Sequence, residues 1–173
     1  KKARPDPIMG LNEAFKKSTN PNKINLTVGA YRDNTCKPYV FSSVREACNI
    51  LRNDDSLNHE YLPILGCNEF SSNAASLALG YNQNLDVVAK CQTLSGTGAL
   101  NIASLFLSKY YKFPYDKKSI YIPNPTWANH SNIFLQCGIT PIPYTYYDKE
   151  SHEVDINQIL EKVNTAPQRS IFL

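Results

Sequence analysis

Residues 95–100 of this chain read Ser-Gly-Thr-Gly-Ala-Leu and follow a strand-like stretch at 87–94. The pattern after them is helical, and a helix N-terminus leaves N–H groups unpaired and carries partial positive charge, which suits a phosphate. Gly96 lets the main chain approach an anion closely, and the hydroxyls of Ser95 and Thr97 can donate further hydrogen bonds. The junction predicts a phosphate-bearing ligand, although a plain tight turn explains so short a motif equally well.

From this junction onward, strand-like and helix-like segments alternate to the end of the chain. The predicted strands cover residues 87–94, 120–122, 140–146 and 170–173, and the predicted helices cover 95–111, 129–136 and 155–164. Such alternation predicts an α/β fold in which helices connect the strands of a parallel sheet. Ligands of these sheets bind beyond the carboxyl ends of the strands, where residues 95–98 and 123–130 both fall.

The part of the chain before this alternation carries mainly helix signals. The predicted elements are helices at residues 6–15, 43–52 and 69–79 and a strand at 24–28. Asp6 and the proline after it are typical of a helix start, and Gly80 is typical of a helix end. Ser43 and Glu46 have the spacing of a capping box, which predicts that the second helix begins at Ser43.

Composition limits the classes of protein that this chain can belong to. Its 173 residues, of which 42% are hydrophobic and 19% charged, are typical of a soluble globular domain with one core. A net charge of +3 is too small to indicate nucleic acid or an anionic membrane as a partner. No apolar run is long enough to cross a bilayer, and no secretory signal is present. Five widely spread cysteines without a C-x-x-C pair predict reduced thiols rather than disulfides or a metal site.

Two nucleotide-binding motifs could explain the glycine turn, and neither fits fully. The G-x-G of a dinucleotide-binding fold is present, but Asn101 replaces its third glycine. The acidic residue at the expected distance, Asp116, precedes the next predicted strand instead of ending it. The lysine of a Walker phosphate loop is absent. A nucleotide-binding oxidoreductase stays as an alternative, and so does a non-catalytic structural or interaction role.

Three aromatic residues are candidates for a site. Trp127, the only tryptophan, follows two prolines at the carboxyl end of a predicted strand, which favours a platform for a flat ring over simple core packing. His130 could serve as a general base, a hydrogen-bond relay or part of a helix start. Tyr61 is one of eleven tyrosines and carries no functional signal on its own.

Several stretches match one family in order and spacing over essentially the whole chain. They are Asn-Leu-Thr-Val-Gly-Ala-Tyr-Arg-Asp at 25–33, Lys-Pro-Tyr-Val at 37–40, Glu-Tyr-Leu-Pro-Ile at 60–64, Gln-Thr-Leu-Ser-Gly-Thr-Gly-Ala-Leu at 92–100, Pro-Thr-Trp-Ala-Asn-His at 125–130 and Tyr-Tyr-Asp at 146–148. With them the chain resembles the aspartate aminotransferases, a family of fold-type I pyridoxal-phosphate enzymes. The resemblance implies a three-layer α/β sandwich with a mostly parallel sheet, here truncated. Residues 1–35 would be an N-terminal arm and small-domain segment, and residues 36–173 an incomplete cofactor-binding large domain.

The resemblance also implies pyridoxal 5'-phosphate as the cofactor and assigns residues to it. Ser95, Gly96 and Thr97 would hold the cofactor phosphate, in agreement with the helix-start chemistry above. Trp127 would stack on the pyridine ring. His130 would bond to the carboxylate that keeps the ring nitrogen protonated, so that the ring can withdraw electrons from the substrate.

Further implications concern the substrate and a second subunit. Tyr61 would reach the cofactor phosphate of a neighbouring subunit, so that a homodimer would share its active sites. Gly29 and Trp127 would line the substrate site. The Asn124–Pro125 peptide bond would be cis.

The resemblance implies an enzyme that converts L-aspartate and 2-oxoglutarate to oxaloacetate and L-glutamate. Another class I aminotransferase, acting on other amino acids and 2-oxo acids, stays as an alternative. The family's Schiff-base lysine would lie beyond Leu173, so we expect no catalytic residue within this chain and no activity from it alone. We expect no metal, no nucleic acid and no membrane partner. The expected location is cytoplasmic, with the mitochondrial matrix as the alternative.

Overall fold

A computed structural model describes residues 7–27 and 29–173 of the chain. The chain divides into two compact units, Lys1–Glu60 and Tyr61–Leu173. The first unit contains the helices α1 (Pro7–Lys17) and α2 (Ser42–Arg52). The second contains α3 (Asn68–Leu79), α4 (Ser95–Tyr110), β1 (Ser119–Asn124), α5 (Asn129–Gln136), β2 (Thr140–Thr145) and α6 (Ile156–Thr165). The domain boundary expected after residue 35 stays a prediction.

The first helix confirms its prediction and runs to Lys17, two residues further than expected. Asp6, its predicted cap, lies outside the described residues. The second helix begins at Ser42, one residue earlier than predicted, and no side chain caps its start. The expected capping box of Ser43 and Glu46 is therefore wrong, because the earlier start places Ser43 inside the first turn rather than at the cap.

The predicted strand at 24–28 is also wrong for residues 24–27, which form no ladder, and Val28 lies outside the described residues. Side chains hold this segment instead. The Nδ2 of Asn25, a buried residue, donates to Oδ1 of Asn12 at 2.9 Å, and the backbone N–H of Thr27 donates to Oδ1 of Asn25 at 3.0 Å. Alternating residues become a strand only beside a partner strand, and side-chain bonds can satisfy the backbone where no partner is present.

The second unit confirms the α/β prediction with a parallel sheet. Strands β1 and β2 pair in parallel from Ser119↔Thr140 to Asn124↔Thr145, and α5 forms the crossover between them. On the other side of β1, the N–H of Tyr121 donates to the carbonyl of Ile171 at 2.8 Å, and the N–H of Leu173 donates to the carbonyl of Tyr121 at 2.9 Å. The predicted strand at 170–173 thus contributes one parallel bridge rather than a full strand.

The core of this unit forms where helices cover the sheet. Its buried residues are Phe113, Ile120, Ile122, Phe134 and Ile139, and Leu100, Leu107, Tyr111 and Ile171 pack around them. Ile139 is 1% exposed and Phe134 is 2% exposed. Because α4, α5 and β1 all contribute to this cluster, burial of its apolar surface fixes the helix starts relative to the end of β1.

The strand predicted at 87–94 is absent. A 3₁₀ turn occupies Leu85–Val87, Val88 after it has extended backbone angles, and residues 88–93 form no ladder. One backbone hydrogen bond ties this segment to a neighbour, from the N–H of Gln92 to the carbonyl of Leu65 at 2.9 Å. No strand of the described chain pairs with residues 88–93, so the ladder that defines a strand does not form.

Helix α6 begins after a carboxylate cap. Oδ1 of Asp155 accepts a hydrogen bond from the N–H of Gln158 at 3.1 Å, and Oδ2 accepts one from the Gln158 side chain at 2.9 Å. The backbone hydrogen bond, followed by the side-chain one, lowers the pKa of Asp155 below its ordinary value. The exposed start of α6 is therefore stabilised by the ionised form of this residue.

We predict that Asp155→Ala lowers the melting temperature at neutral pH. Because the folded-state pKa of Asp155 is lowered, its stabilisation is present above the unfolded-state pKa and is lost as the pH falls through the folded-state pKa. The difference in melting temperature between the variant and the unchanged protein should therefore shrink in acid. Circular-dichroism melts over a pH series measure it, with Asp155→Asn as the control that keeps a capping oxygen. An equal difference at all pH values would contradict the prediction.

Candidate functional site

The start of α4 presents backbone donors without partners. The first helical hydrogen bond runs from the N–H of Gly98 to the carbonyl of Leu94 at 3.0 Å, and no side chain caps the helix. Within residues 7–27 and 29–173, the N–H groups of Gly96 and Thr97 have no acceptor. Ser95, Gly96 and Thr97 are all exposed. Exposed N–H groups at the positive end of a sixteen-residue helix have the donors and the electrostatic potential that an anion requires.

Thr93 fixes the turn that leads into this helix. Ser95 has φ +56°, a left-handed conformation that is uncommon for residues other than glycine. The N–H of Ser95 donates to the carbonyl of Thr93 at 3.0 Å, and Oγ1 of Thr93 donates to the carbonyl of Ser95 at 3.1 Å. These two bonds hold the strained residue in place. This role of Thr93 was not predicted, and its only signal in the sequence is a hydroxyl two residues before Ser95.

The two glycines of the motif serve different purposes. A Cβ atom built at Gly96 would meet no atom within 4 Å, so the space beside this residue is open. A Cβ atom at Gly98 would lie 3.3 Å from Cβ of Leu94 and 3.6 Å from Cβ of Thr93. Gly98 therefore allows the helix to pack closely on its own entry turn, while Gly96 leaves room for a ligand next to the free N–H groups.

The loop at residues 61–67 is attached to residues 88–94, the segment that precedes α4. The N–H of Cys67 donates to Oε1 of Gln92 at 2.9 Å, in addition to the backbone bond between Gln92 and Leu65. Gly66 has φ +83°, and a Cβ atom there would lie 2.2 Å from Cβ of Gln92, so only glycine fits. Tyr61, at the beginning of this loop, is 99% exposed. Its ring is thus available to a molecule outside the unit rather than packed within it.

Trp127 and His130 lie together after the end of β1. The Asn124–Pro125 peptide bond is cis, as the resemblance implied. Trp127 is 41% exposed and borders an open concavity of about 310 Å³, which Pro125 and Thr126 also line. An indole that is partly exposed at the carboxyl end of a parallel strand is accessible to a flat ligand.

His130 is held by its neighbours in the same turn. Its Nδ1 lies 2.8 Å from Oγ1 of Thr126, and its ring meets the Trp127 indole edge-on, with ring centroids 5.4 Å apart at 87°. The backbone N–H of His130 donates to the carbonyl of Trp127 at 3.0 Å. When the Thr126 hydroxyl donates to Nδ1, the proton of the neutral ring is on Nε2, which can then donate to an acceptor outside the turn. Thr126 was missed in the sequence, although its spacing of four residues from His130 could have indicated the pair.

Helix α4, which begins with Ser95, packs against α5, which begins two residues after Trp127. Near this contact, Nδ2 of Asn101 in α4 and Sγ of Cys137, the residue that follows α5, are 3.9 Å apart. The two helix starts therefore belong to one packed unit, whose core holds Leu100 of α4 and Phe134 of α5. Gly29, the predicted substrate residue, is exposed in the first unit, and a Cβ atom there would meet nothing within 4 Å.

Two features of the described residues concern metal and membrane binding, namely the clustering of metal-ligand side chains and the apolar length of the helices. No three side chains of histidine, cysteine, aspartate or glutamate gather into a cluster that could hold a metal ion within the described ranges. No helix in that part of the chain has both the length and the apolar character that crossing a membrane requires. All five cysteines are free thiols, and Cys137 is buried.

The fold and the site together define an α/β protein with an uncapped, exposed helix start at Ser95 and a partly exposed indole at Trp127. The family model for aminotransferases of class I and II matches residues 21–173, and the chain belongs to this family. A curated relative, a mitochondrial aspartate aminotransferase of Xenopus tropicalis, is 44% identical over 98% of this chain and 39% of its own length. The chain thus spans about two fifths of the length of the curated relatives that it matches.

Solved structures give the same result for the fold. A cytoplasmic aspartate aminotransferase of Saccharomyces cerevisiae superimposes with a TM-score of 0.87 at 38% identity, over 99% of this chain and 42% of that one. A broad-specificity aminotransferase of Leishmania mexicana superimposes with a TM-score of 0.89 at 36% identity, over the same shares. The expected fold-type I architecture is confirmed over the part of the fold that this chain covers, and the family implies pyridoxal phosphate as cofactor.

Proposed function

We propose that this chain supplies the phosphate and ring contacts of a pyridoxal-phosphate aminotransferase. The observation that carries the proposal is the donor set at the exposed residues 95–97, where two N–H groups lack acceptors, two side chains carry hydroxyls and the space beside Gly96 is open. A phosphate needs several donors and positive potential, and the start of α4 offers both. The residues present therefore fit the group that the family implies.

Each residue of the site has a distinct proposed task. Ser95, Gly96 and Thr97 bind the cofactor phosphate, and Trp127 packs on the pyridine ring and borders the substrate space. When bound, pyridoxal phosphate supplies a ring that withdraws electrons from the substrate carbon during amino transfer. His130, held by Thr126, positions the group that keeps the ring nitrogen protonated. These contacts bind and orient the cofactor, while the lysine that moves the proton is expected outside this chain.

The proposed reaction converts L-aspartate and 2-oxoglutarate to oxaloacetate and L-glutamate. Support comes from the similarity to aspartate aminotransferases at 38% and 44% identity. The similar Leishmania mexicana enzyme is described as having broad specificity, so another amino acid substrate is the second candidate. Gly29 is proposed to line the substrate site, where an exposed glycine leaves its backbone accessible.

We propose a homodimer in which Tyr61 reaches the cofactor phosphate of the other subunit. The exposed ring of Tyr61 supports this, because within its own unit it has almost no packing contact. We also propose residues 1–35 as an arm and small-domain segment and residues 36–173 as an incomplete large domain. The proposed location is cytoplasmic, with the mitochondrial matrix as alternative, since similar proteins are described from both compartments. Imaging of the tagged whole protein distinguishes the two.

An assay of the whole protein loaded with cofactor tests the reaction. Formation of oxaloacetate from aspartate and 2-oxoglutarate, followed by a coupled assay, is the expected result. Aromatic amino acids are assayed in parallel, because turnover of these and not of aspartate would favour the second candidate. Failure of every amino acid to react, with cofactor demonstrably bound, would refute the proposal. The 173-residue chain alone is the control, and we expect it to be inactive.

We predict that Trp127→Ala weakens binding of pyridoxal phosphate to the whole protein by roughly 2- to 12-fold, because aromatic stacking contributes about 0.5–1.5 kcal/mol. Trp127→Phe should retain most of the affinity, since it keeps an aromatic face. Equilibrium titration of the cofactor measures both variants. Tyr81→Ala removes an aromatic ring that is 80% exposed elsewhere in the unit and serves as control. Equal affinity of the alanine variant and the unchanged protein would show that the indole does not contact the ring.

A further inference from the structure

The outer edge of β2 is defined by the register of the sheet. In a parallel pair, alternate residues of a strand direct their backbone groups to one neighbour and the residues between them to the other side. The N–H of Thr140 donates to the carbonyl of Lys118 at 2.8 Å, and Ser119 is opposite Thr140. Thr140, Ile142 and Tyr144 therefore bond to β1, and residues 141, 143 and 145 direct their backbone groups outward.

The same alternation is visible on the other side of β1. Tyr121, which lies opposite Ile142, bonds through both its N–H and its carbonyl to the chain at Ile171 and Leu173. Strand β1 is thus paired on both edges, and β2 is paired on one. Within the described residues of this unit, no strand lies on the outer side of β2.

Two of the three outward positions on β2 are prolines. Pro141 and Pro143 have no N–H, so along this edge only Thr145 can donate a ladder hydrogen bond. Pro143 is exposed and Pro141 is partly exposed. A strand approaching this edge would find carbonyl acceptors but would leave two of its own carbonyl groups without donors, which is costly when they are removed from water.

Apart from these prolines, β2 has none of the features that hinder the addition of another strand, such as charged side chains or a bulge. The sequence Thr-Pro-Ile-Pro-Tyr-Thr contains no charged residue, and β1 and β2 pair without a bulge over six positions. Threonine, isoleucine and tyrosine favour strands, so without the prolines this would be a flat, uncharged edge, which is the type most prone to pairing with another chain. Natural sheets place proline at such edges for this reason.

We infer that Pro141 and Pro143 terminate the sheet at β2 by preventing a further strand, in particular β2 of a second copy, from adding to it. The inference concerns association of the protein in solution and does not depend on the proposed reaction. It assigns β2 as a permanent edge of the sheet. Any additional strands of the sheet then lie on the side of residues 171–173.

The double variant Pro141→Thr/Pro143→Thr of the whole protein tests this. It restores two outward N–H groups without adding apolar surface. We expect it to associate at concentrations at which the unchanged protein keeps its native oligomeric state, as measured by light scattering and sedimentation. Hydrogen exchange should show that the amides of residues 141 and 143 become protected in the associated form. Thr145→Val, which adds apolar surface on the same edge but no N–H, is the control and should not associate.

Two outcomes would overturn the inference. If the double variant keeps the native oligomeric state and both new amides exchange freely, the prolines do not prevent pairing. If these amides are protected without any association, the edge is covered by the protein's own chain. Because two substitutions could prevent folding, Pro143→Thr alone, at the exposed position, is measured in the same way. A melting curve confirms that each variant is folded before association is scored.

Discussion

Gly96→Asp is expected to weaken the binding of pyridoxal phosphate to the whole protein by at least about 100-fold, or about 2.7 kcal/mol. The space beside Gly96 is open, and the backbone N–H groups of Gly96 and Thr97 have no acceptor within the described residues. A carboxylate placed there would occupy the N–H groups itself and would repel a dianionic phosphate. Titration of the cofactor into the apoprotein, followed by its visible absorption, measures the loss.

Gly96→Asn is the matched control for this substitution. Asparagine has nearly the same size and no charge, so its loss of affinity reports the steric part of the effect alone. Pyridoxal, which lacks the phosphate, separates the contacts further, because Gly96→Asp should change its affinity far less than that of the phosphorylated cofactor. If aspartate and asparagine reduced the affinity equally, or if pyridoxal were affected as strongly, the phosphate would not be bound at the start of α4.

Phe134→Ala is expected to lower the free energy of unfolding of the second unit, Tyr61–Leu173, by about 3–5 kcal/mol. Phe134 is 2% exposed and lies in the core cluster with Ile120, Ile122 and Ile139. Its removal leaves a cavity between α5 and the sheet. Because His130 lies in the first turn of α5 and Trp127 just before it, cofactor affinity should fall with stability. Hydrogen exchange of the α5 and β1 amides under native conditions measures the loss of stability.

Leu135→Ala provides the control on the same helix. Leu135 is adjacent in sequence but 57% exposed, so its truncation should change stability by less than about 1 kcal/mol. Both variants place alanine at neighbouring positions of one helix, and the replaced side chains differ in burial. Equal effects of the two substitutions would show that α5 does not pack on the sheet as described.

Local signals in the sequence were sufficient for the elements near the site. The bounds of α5 agree with the predicted 129–136, and α4 begins at Ser95 as expected from the glycine turn. Glycines with positive φ follow α3 and α5, at Gly80 and Gly138. These features depend on caps and turns within a few residues, and such short-range chemistry can be read from one sequence.

Features that depend on distant partners could not be predicted in this way. The sequence of residues 88–93 favours a strand, but whether they form one depends on a neighbouring strand that the local pattern does not reveal. The bond between Gln92 and the 65–67 loop joins positions about 25 residues apart, and nothing at either position indicates the other. The free N–H groups at the start of α4 were expected from the motif. The hydrogen bond from Oγ1 of Thr93 to the carbonyl of Ser95 is seen only in the structure.

A crystal structure of the whole protein with pyridoxal phosphate bound tests the central claim most directly. We predict that phosphate oxygens accept hydrogen bonds from the N–H groups of Gly96 and Thr97, and that the pyridine ring lies against the Trp127 indole. A phosphate bound by other residues, with the start of α4 facing solvent, would contradict the account.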